Sequence, residues 1–112
     1  MNIVKYGVPC SRLKDRIGDV EVNCTSEEEA MALAAGAWFA GVTPVVYMQN
    51  SGLGRIVDIV ASLYKTYEIP LPKMLLSVRT APQHHEFMGK ITRDLLELME
   101  YDNVEVIEQW RE

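Results

Sequence analysis

Two runs of this chain, Pro44-Val45-Val46-Tyr47-Met48 and Met74-Leu75-Leu76-Ser77-Val78, are almost wholly apolar and do not alternate with polar residues. A strand with one wet face alternates. A strand without alternation is buried on both sides, the condition of a parallel sheet covered by helices. Parallel neighbours also need long crossovers, so a helix should separate each such run from the next. The rest of the chain keeps to that expectation. Residues 3–8 form a β-branched and aromatic run closed by Pro9, residues 20–22 a second, and residues 104–107 a last one.

The segments between these runs read as helices. Ser26 is placed to cap a helix over residues 26–40, Glu29 completes a capping box with it, and Gly41 is the terminator. Residues 56–67 carry Ile56, Ile59, Val60, Leu63 and Tyr67 on one stripe and stop before Pro70 and Pro72. Residues 86–99 carry Phe87, Ile91, Leu95 and Leu98 in the same way. A shorter helix is predicted over residues 11–17, with Leu13 and Ile17 on one face. The predicted architecture is α/β: a parallel sheet of about five strands with helices on both faces, in one domain spanning residues 1–112.

Composition removes several functions. Eleven Lys and Arg stand against sixteen Asp and Glu, a net charge of −5, and the cations are scattered. Binding a nucleic-acid backbone needs them clustered. Cys10 and Cys24 form no CxxC pair and no HExxH surrounds the histidines, so neither a disulfide framework nor a zinc site is indicated. The chain start lacks a basic region followed by an apolar core. The most apolar stretch, residues 33–48, is broken by Gly36, Gly41, Thr43 and Pro44. A soluble cytoplasmic protein is expected.

A parallel sheet binds ligands outside the carboxyl ends of its strands. The segments leaving those ends are residues 9–11, 24–28, 49–54 and 79–86, and they hold the unusual chemistry. Gln49-Asn50-Ser51-Gly52-Leu53-Gly54 follows a buried strand and opens a helix. It is neither a Walker loop nor a dinucleotide fingerprint, and reads equally as a tight turn or a binding loop. Glu27, Glu28 and Glu29 put three carboxylates in a first helical turn, where they complement the helix dipole, although the capping box needs Glu29 alone. Ala30, Ala32, Ala34, Ala35, Gly36, Ala37 and Ala40 follow, small enough for another helix or subunit to come close. Arg79 ends a strand where it can pair with a carboxylate, phosphate or sulfonate, or stand as a surface charge. His84 and His85 point about 100° apart if helical and make poor joint metal ligands.

Four blocks together carry a resemblance: Gly7-Val8-Pro9-Cys10; Ser26-Glu27-Glu28-Glu29-Ala30 with Ala34-Ala35-Gly36-Ala37; Val46-Tyr47-Met48-Gln49-Asn50-Ser51-Gly52-Leu53-Gly54; and Ile69-Pro70-Leu71-Pro72. In order and spacing the chain resembles the sulfopyruvate and phosphonopyruvate decarboxylase family of thiamine-diphosphate enzymes. It is similar to the alpha subunit of the first and the amino-terminal domain of the second. The resemblance implies the fold of a thiamine-diphosphate pyrimidine-binding domain. It also implies decarboxylation of a small acidic 2-oxo acid, sulfopyruvate foremost, to the aldehyde and CO₂, with phosphonopyruvate or another 2-oxo acid as the alternative. A homologue that kept the fold as an interaction module is a further reading.

The resemblance also implies roles. Glu27 would be the activating glutamate, hydrogen-bonded to the pyrimidine ring nitrogen. Gln49, Asn50, Ser51 and Gly52 would wall the cofactor. Arg79 and Cys10 would lie near the substrate's acidic end or at the site's rim, and His84 and His85 would handle protons after CO₂ leaves. Family members hold the diphosphate through Mg²⁺ with a Gly-Asp-Gly…Asn motif. Here Gly18-Asp19 is followed by Val20, so the resemblance implies a beta subunit that carries the pyrophosphate-binding domain and the metal.

Overall fold

The two alternation-free runs become neighbouring inner strands, β3 (Thr43–Gln49) and β4 (Lys73–Arg79). With β1 (Ile3–Gly7), β2 (Val22–Asn23) and β5 (Val104–Trp110) they form one five-stranded sheet in the order β2-β1-β3-β4-β5, parallel throughout. The computed structural model describes residues 2–8 and 20–110, and the helix expected over residues 11–17 lies outside them. Strand order reverses between β1 and β3. Such a switch point opens a crevice at the carboxyl ends of the strands.

Among the described residues three helical segments pack on the strands: α1 (Glu27–Phe39), α2, and α3 (His84–Leu98). Here α2 is α-helical over Val57–Ile59 and continues as a π-helix over Val60–Lys65. Tyr6, Val46, Met48, Met74, Leu76 and Val78, all on one face of the sheet by the two-residue strand period, join one core. Ala30, Met31, Ala34 and Ala35 of α1, Val60 and Tyr64 of α2, and Met88, Leu95 and Leu96 of α3 pack into the same core. The described helices therefore share one face of the sheet.

The ends of α1 follow the sequence signals, with one change. Ser26 Oγ accepts from the Glu29 amide at 3.1 Å, but the Glu29 carboxylate reaches back to the Thr25 amide, at 2.8 Å, rather than to that of Ser26. At the other end the Val42 amide donates to the Ala37 carbonyl at 2.9 Å, and the chain turns at Gly41. No polar face separates α1 from solvent: Ala32, Leu33, Gly36, Phe39 and Ala40 are exposed while Ala30, Met31, Ala34 and Ala35 are buried.

Three sequence expectations are corrected. Residues 49–54 do not form a loop; Asn50–Arg55 is a 3-10 helix that drives Leu53 into the core. The α2 stripe does not end on Tyr67, which is 70% exposed; Tyr64 takes the inward place. A π turn holds more residues than an α turn, so the π segment rotates later side chains out of an α-helical phase. Its geometry is marked by Thr66 Oγ1 donating to the carbonyl of Ala61, five residues back, at 2.9 Å. On α3 only the ends of the expected stripe face outward, Phe87 67% and Leu98 82% exposed, while Ile91 and Leu95 are half-buried. His85, Thr92 and Met99 are buried instead. In addition, β2 is shorter and later than residues 20–22, although the Glu21 amide already donates to the Lys5 carbonyl at 2.9 Å.

Two buried phenols join segments far apart in the chain. Tyr64 Oη donates to the Met31 carbonyl of α1, and Tyr101 Oη to the Pro72 carbonyl, both at 2.7 Å. Burial pushes both hydroxyls well above their ordinary value of 10.0, because the phenolate would lose its hydration. A raised folded-state pKa contributes stability that is complete below the unfolded value and is lost as pH rises towards the folded one. The urea midpoint is thus expected to hold up to about pH 9.5 and fall above pH 10. Its fall should be shallower in a Tyr64→Phe, Tyr101→Phe double variant; equal slopes would remove these phenols as the cause.

Candidate functional site

The carboxyl edge is built from the start of α1, the 3-10 turn, and the segment from Arg79 into α3. Glu27 is the first residue of α1, and its side chain is 15% exposed. It lies directly on Gly52 of the 3-10 turn: a Cβ at position 52 would stand 2.5 Å from Glu27 Cγ, 2.6 Å from Cδ and 2.7 Å from Oε2. The missing side chain is thus the space the carboxyl group occupies. Arg55, at the end of the turn, places Nε 3.7 Å from Glu27 Oε1, with its side chain 70% exposed. Glu28 and Glu29 are exposed, and Glu29 is engaged in the cap. One carboxylate of the first turn is turned to the site, the next stands in solvent, and the third holds the helix end.

The two carboxamides at the end of β3 behave oppositely. Asn50, expected on the wall of the ligand, is fully buried and spent within the protein. Its Nδ2 donates to the Arg79 carbonyl at 3.0 Å and to Thr92 Oγ1 at 2.9 Å, and its Oδ1 accepts from the Arg79 amide at 2.9 Å. Gln49 is 9% exposed; its carboxamide has no hydrogen-bond partner among the described residues, and since none of their fully buried side-chain polar atoms is unpartnered, that group reaches the surface. Gln49, not Asn50, keeps hydrogen-bonding capacity at this edge. Ser51 is exposed and Gly52 buried.

Arg79 ends β4 half-buried; its Nε donates to the Ala81 carbonyl at 3.2 Å. The chain then crosses to α3, which His84 opens two residues earlier than expected. His85 is buried in the first turn, its amide donating to the Pro82 carbonyl at 3.0 Å. Cys10 lies outside the described residues. Cys24 is buried, its thiol pushed up chiefly by that burial and secondarily by the Glu29 carboxylate. Among the described residues no three of His, Cys, Asp and Glu converge as metal ligands.

Two residues of this edge escaped the sequence reading. Thr92 accepts from Asn50 and donates to the Met88 carbonyl at 2.6 Å. Gly89 lets α3 approach the segment after β4: a Cβ there would meet Thr80 Cα and Cγ2 at 2.9 Å. A glycine inside a helical pattern was the one signal available, since it marks close approach of another backbone.

The class of protein follows from fold and edge together. An all-parallel sheet with a switch point, and an acidic helix start seated on a glycine turn at its carboxyl edge, is an arrangement consistent with the pyrimidine-binding domain of thiamine-diphosphate enzymes. No protein-family model matches the chain. It is 39% identical over 103 residues to sulfopyruvate decarboxylase subunit alpha of Methanothermobacter thermautotrophicus, covering 83% of this chain and 62% of that one. It is 43% identical over 70 residues to the same subunit of Methanocaldococcus jannaschii, covering 56% of this chain and 41% of that one. It is 38% identical over 108 residues to phosphonopyruvate decarboxylase of Streptomyces viridochromogenes, covering 86% of this chain and 27% of that one. The chain is similar to these sulfopyruvate and phosphonopyruvate decarboxylases, and it spans less than two thirds of the length of each of them. No described helix is long and apolar enough to cross a membrane.

Gly52→Ala is the test of the glutamate's seat. Its Cβ meets a side chain rather than backbone, so the fold should survive with a loss of about 1 kcal/mol or less, while the Glu27 carboxyl moves off the turn. A crystal structure of the variant with Glu27 unmoved would contradict the contact.

Proposed function

We propose that the chain is the pyrimidine-binding subunit of a thiamine-diphosphate-dependent decarboxylase that converts sulfopyruvate to sulfoacetaldehyde and CO₂. The observation that carries this reading is the seating of Glu27 on Gly52 at the switch-point edge. The residues present suit the cofactor's pyrimidine ring: a largely buried carboxyl group, a turn without a side chain beside it, and the unspent carboxamide of Gln49. When bound, thiamine diphosphate supplies a nucleophilic carbon and an electron sink for the departing carboxylate.

The chain's own groups would do the rest. Glu27 would share a proton with the ring nitrogen, and Gln49, Ser51 and Gly52 would line its surroundings. Arg79 pairs with the sulfonate through guanidinium N–H groups, and His84 or His85 returns a proton once CO₂ has left. On this reading the diphosphate and Mg²⁺ fall to a beta subunit that carries the pyrophosphate-binding domain. The subunits named alpha among the relatives support such a partner. The uninterrupted apolar surface of α1 is where it, or a second copy of this chain, would dock.

Glu27→Gln separates catalyst from helix cap. Decarboxylation by the complex with partner, thiamine diphosphate and Mg²⁺ should fall about 100-fold or more. Glu28→Gln and Glu29→Gln should stay near wild type, since Gln also serves the capping box. Three equal activities would return Glu27 to the cap. For the substrate's charged end, Arg79→Ala should raise KM for sulfopyruvate about 10–100-fold; an unchanged KM would place Arg79 outside the substrate site.

A further inference from the structure

Asn50 and Thr92 form a device that ligand contact does not explain. The Asn50 carboxamide uses all three of its bonds inside the protein, two on the backbone of Arg79 and one on Thr92 Oγ1. The 3-10 turn that Asn50 opens carries Gly52 against Glu27. The strand end it grips carries Arg79. The helix it grips begins with His84 and His85, and Thr92 stands seven residues after His85, on the same side of α3 and likewise buried. Thr92 is in turn held by its own bond to the Met88 carbonyl, so its hydroxyl oxygen has a fixed direction. The close passage of Gly89 past Thr80 lets the helix come near enough for the link to form.

We infer that Thr92 is a positioning residue: through Asn50 it sets the rotation and height of α3 against the 3-10 turn, and so places the histidine pair relative to Glu27. This rests on the decarboxylase reading above. The two Asn50 bonds to Arg79 do not pass through Thr92, so losing the Thr92 hydroxyl shifts the start of α3 and leaves Arg79 where it is. The reaction step then suffers while substrate binding does not. A misplacement of this kind, well short of 1 Å, is expected to lower kcat about 10-fold with KM held within about twofold.

The test compares Thr92→Val, which keeps shape and loses the hydroxyl, with Thr92→Ser, which keeps the hydroxyl. Turnover of sulfopyruvate is measured in the complex with partner, thiamine diphosphate and Mg²⁺. The imidazole proton resonances are measured in the full chain alone; it holds two histidines, which makes both readable. Expected is a fall in kcat and a shift of the His85 resonance in Thr92→Val, both restored in Thr92→Ser. Unchanged kcat and resonance in Thr92→Val would overturn the inference, and so would equal impairment of the two variants, which would mean packing rather than the hydrogen bond. If the wild-type complex does not decarboxylate sulfopyruvate, the decarboxylase reading falls. The resonances still decide the positioning: a shift reversed by Ser upholds it, and no shift overturns it.

Discussion

One carboxamide holds the carboxyl edge of the sheet together. Asn50 follows the central strand, and its three bonds reach the next strand end and the helix beyond it. Strand ends diverge where a sheet twists, and their backbone groups lose the ladder partners they have further back. At Arg79 the pairing with β3 has ended while β5 still runs alongside, and both the amide and the carbonyl meet Asn50. Asn50 satisfies both at once, and a buried polar network satisfied in this way is rigid. The 3-10 turn, Arg79 and α3 can therefore be treated as one body, against which α1 brings its first residue.

The division of labour among neighbouring groups of the same type follows from this. Gln49 and Asn50 are both carboxamides, but strand alternation and the tight turn send one inward to be spent and leave the other unspent. Glu27, Glu28 and Glu29 are all carboxylates, and helix geometry gives each a different direction, one onto the turn, one to solvent, one to the cap. Chemistry at this edge is assigned by backbone geometry more than by residue type.

Much of this was legible in the residues. Runs without alternation foretold a parallel sheet, the Ser26–Glu29 spacing foretold where α1 begins, and both survive in the structure with small changes of register. The segments that make up the carboxyl edge were legible too, because the strand ends could be placed. Periodicity failed in two places for physical reasons. The π segment of α2 changes the period itself, so a stripe drawn at α-helical spacing loses phase by Tyr67. On α3 the contacts to the carboxyl edge are made by a hydroxyl and by a missing side chain, at Thr92 and Gly89, and neither registers on a scale of apolarity. Which glutamate faces the turn, and that Asn50 looks inward, depend on contacts between segments far apart in sequence.

The third helix has a consequence of a different kind. Its apolar side chains at Phe87 and Leu98 stand in water, although their spacing is that of a core. Such side chains add little to the folding equilibrium of the lone chain, which leaves them nearly as exposed as when unfolded. They act on its colloidal behaviour instead: a surface of this kind lowers solubility as concentration rises. Polar replacements at these two positions would then be almost silent in a melting experiment while improving yield and shelf life, so thermal stability is the wrong measure for judging whether Phe87 and Leu98 matter.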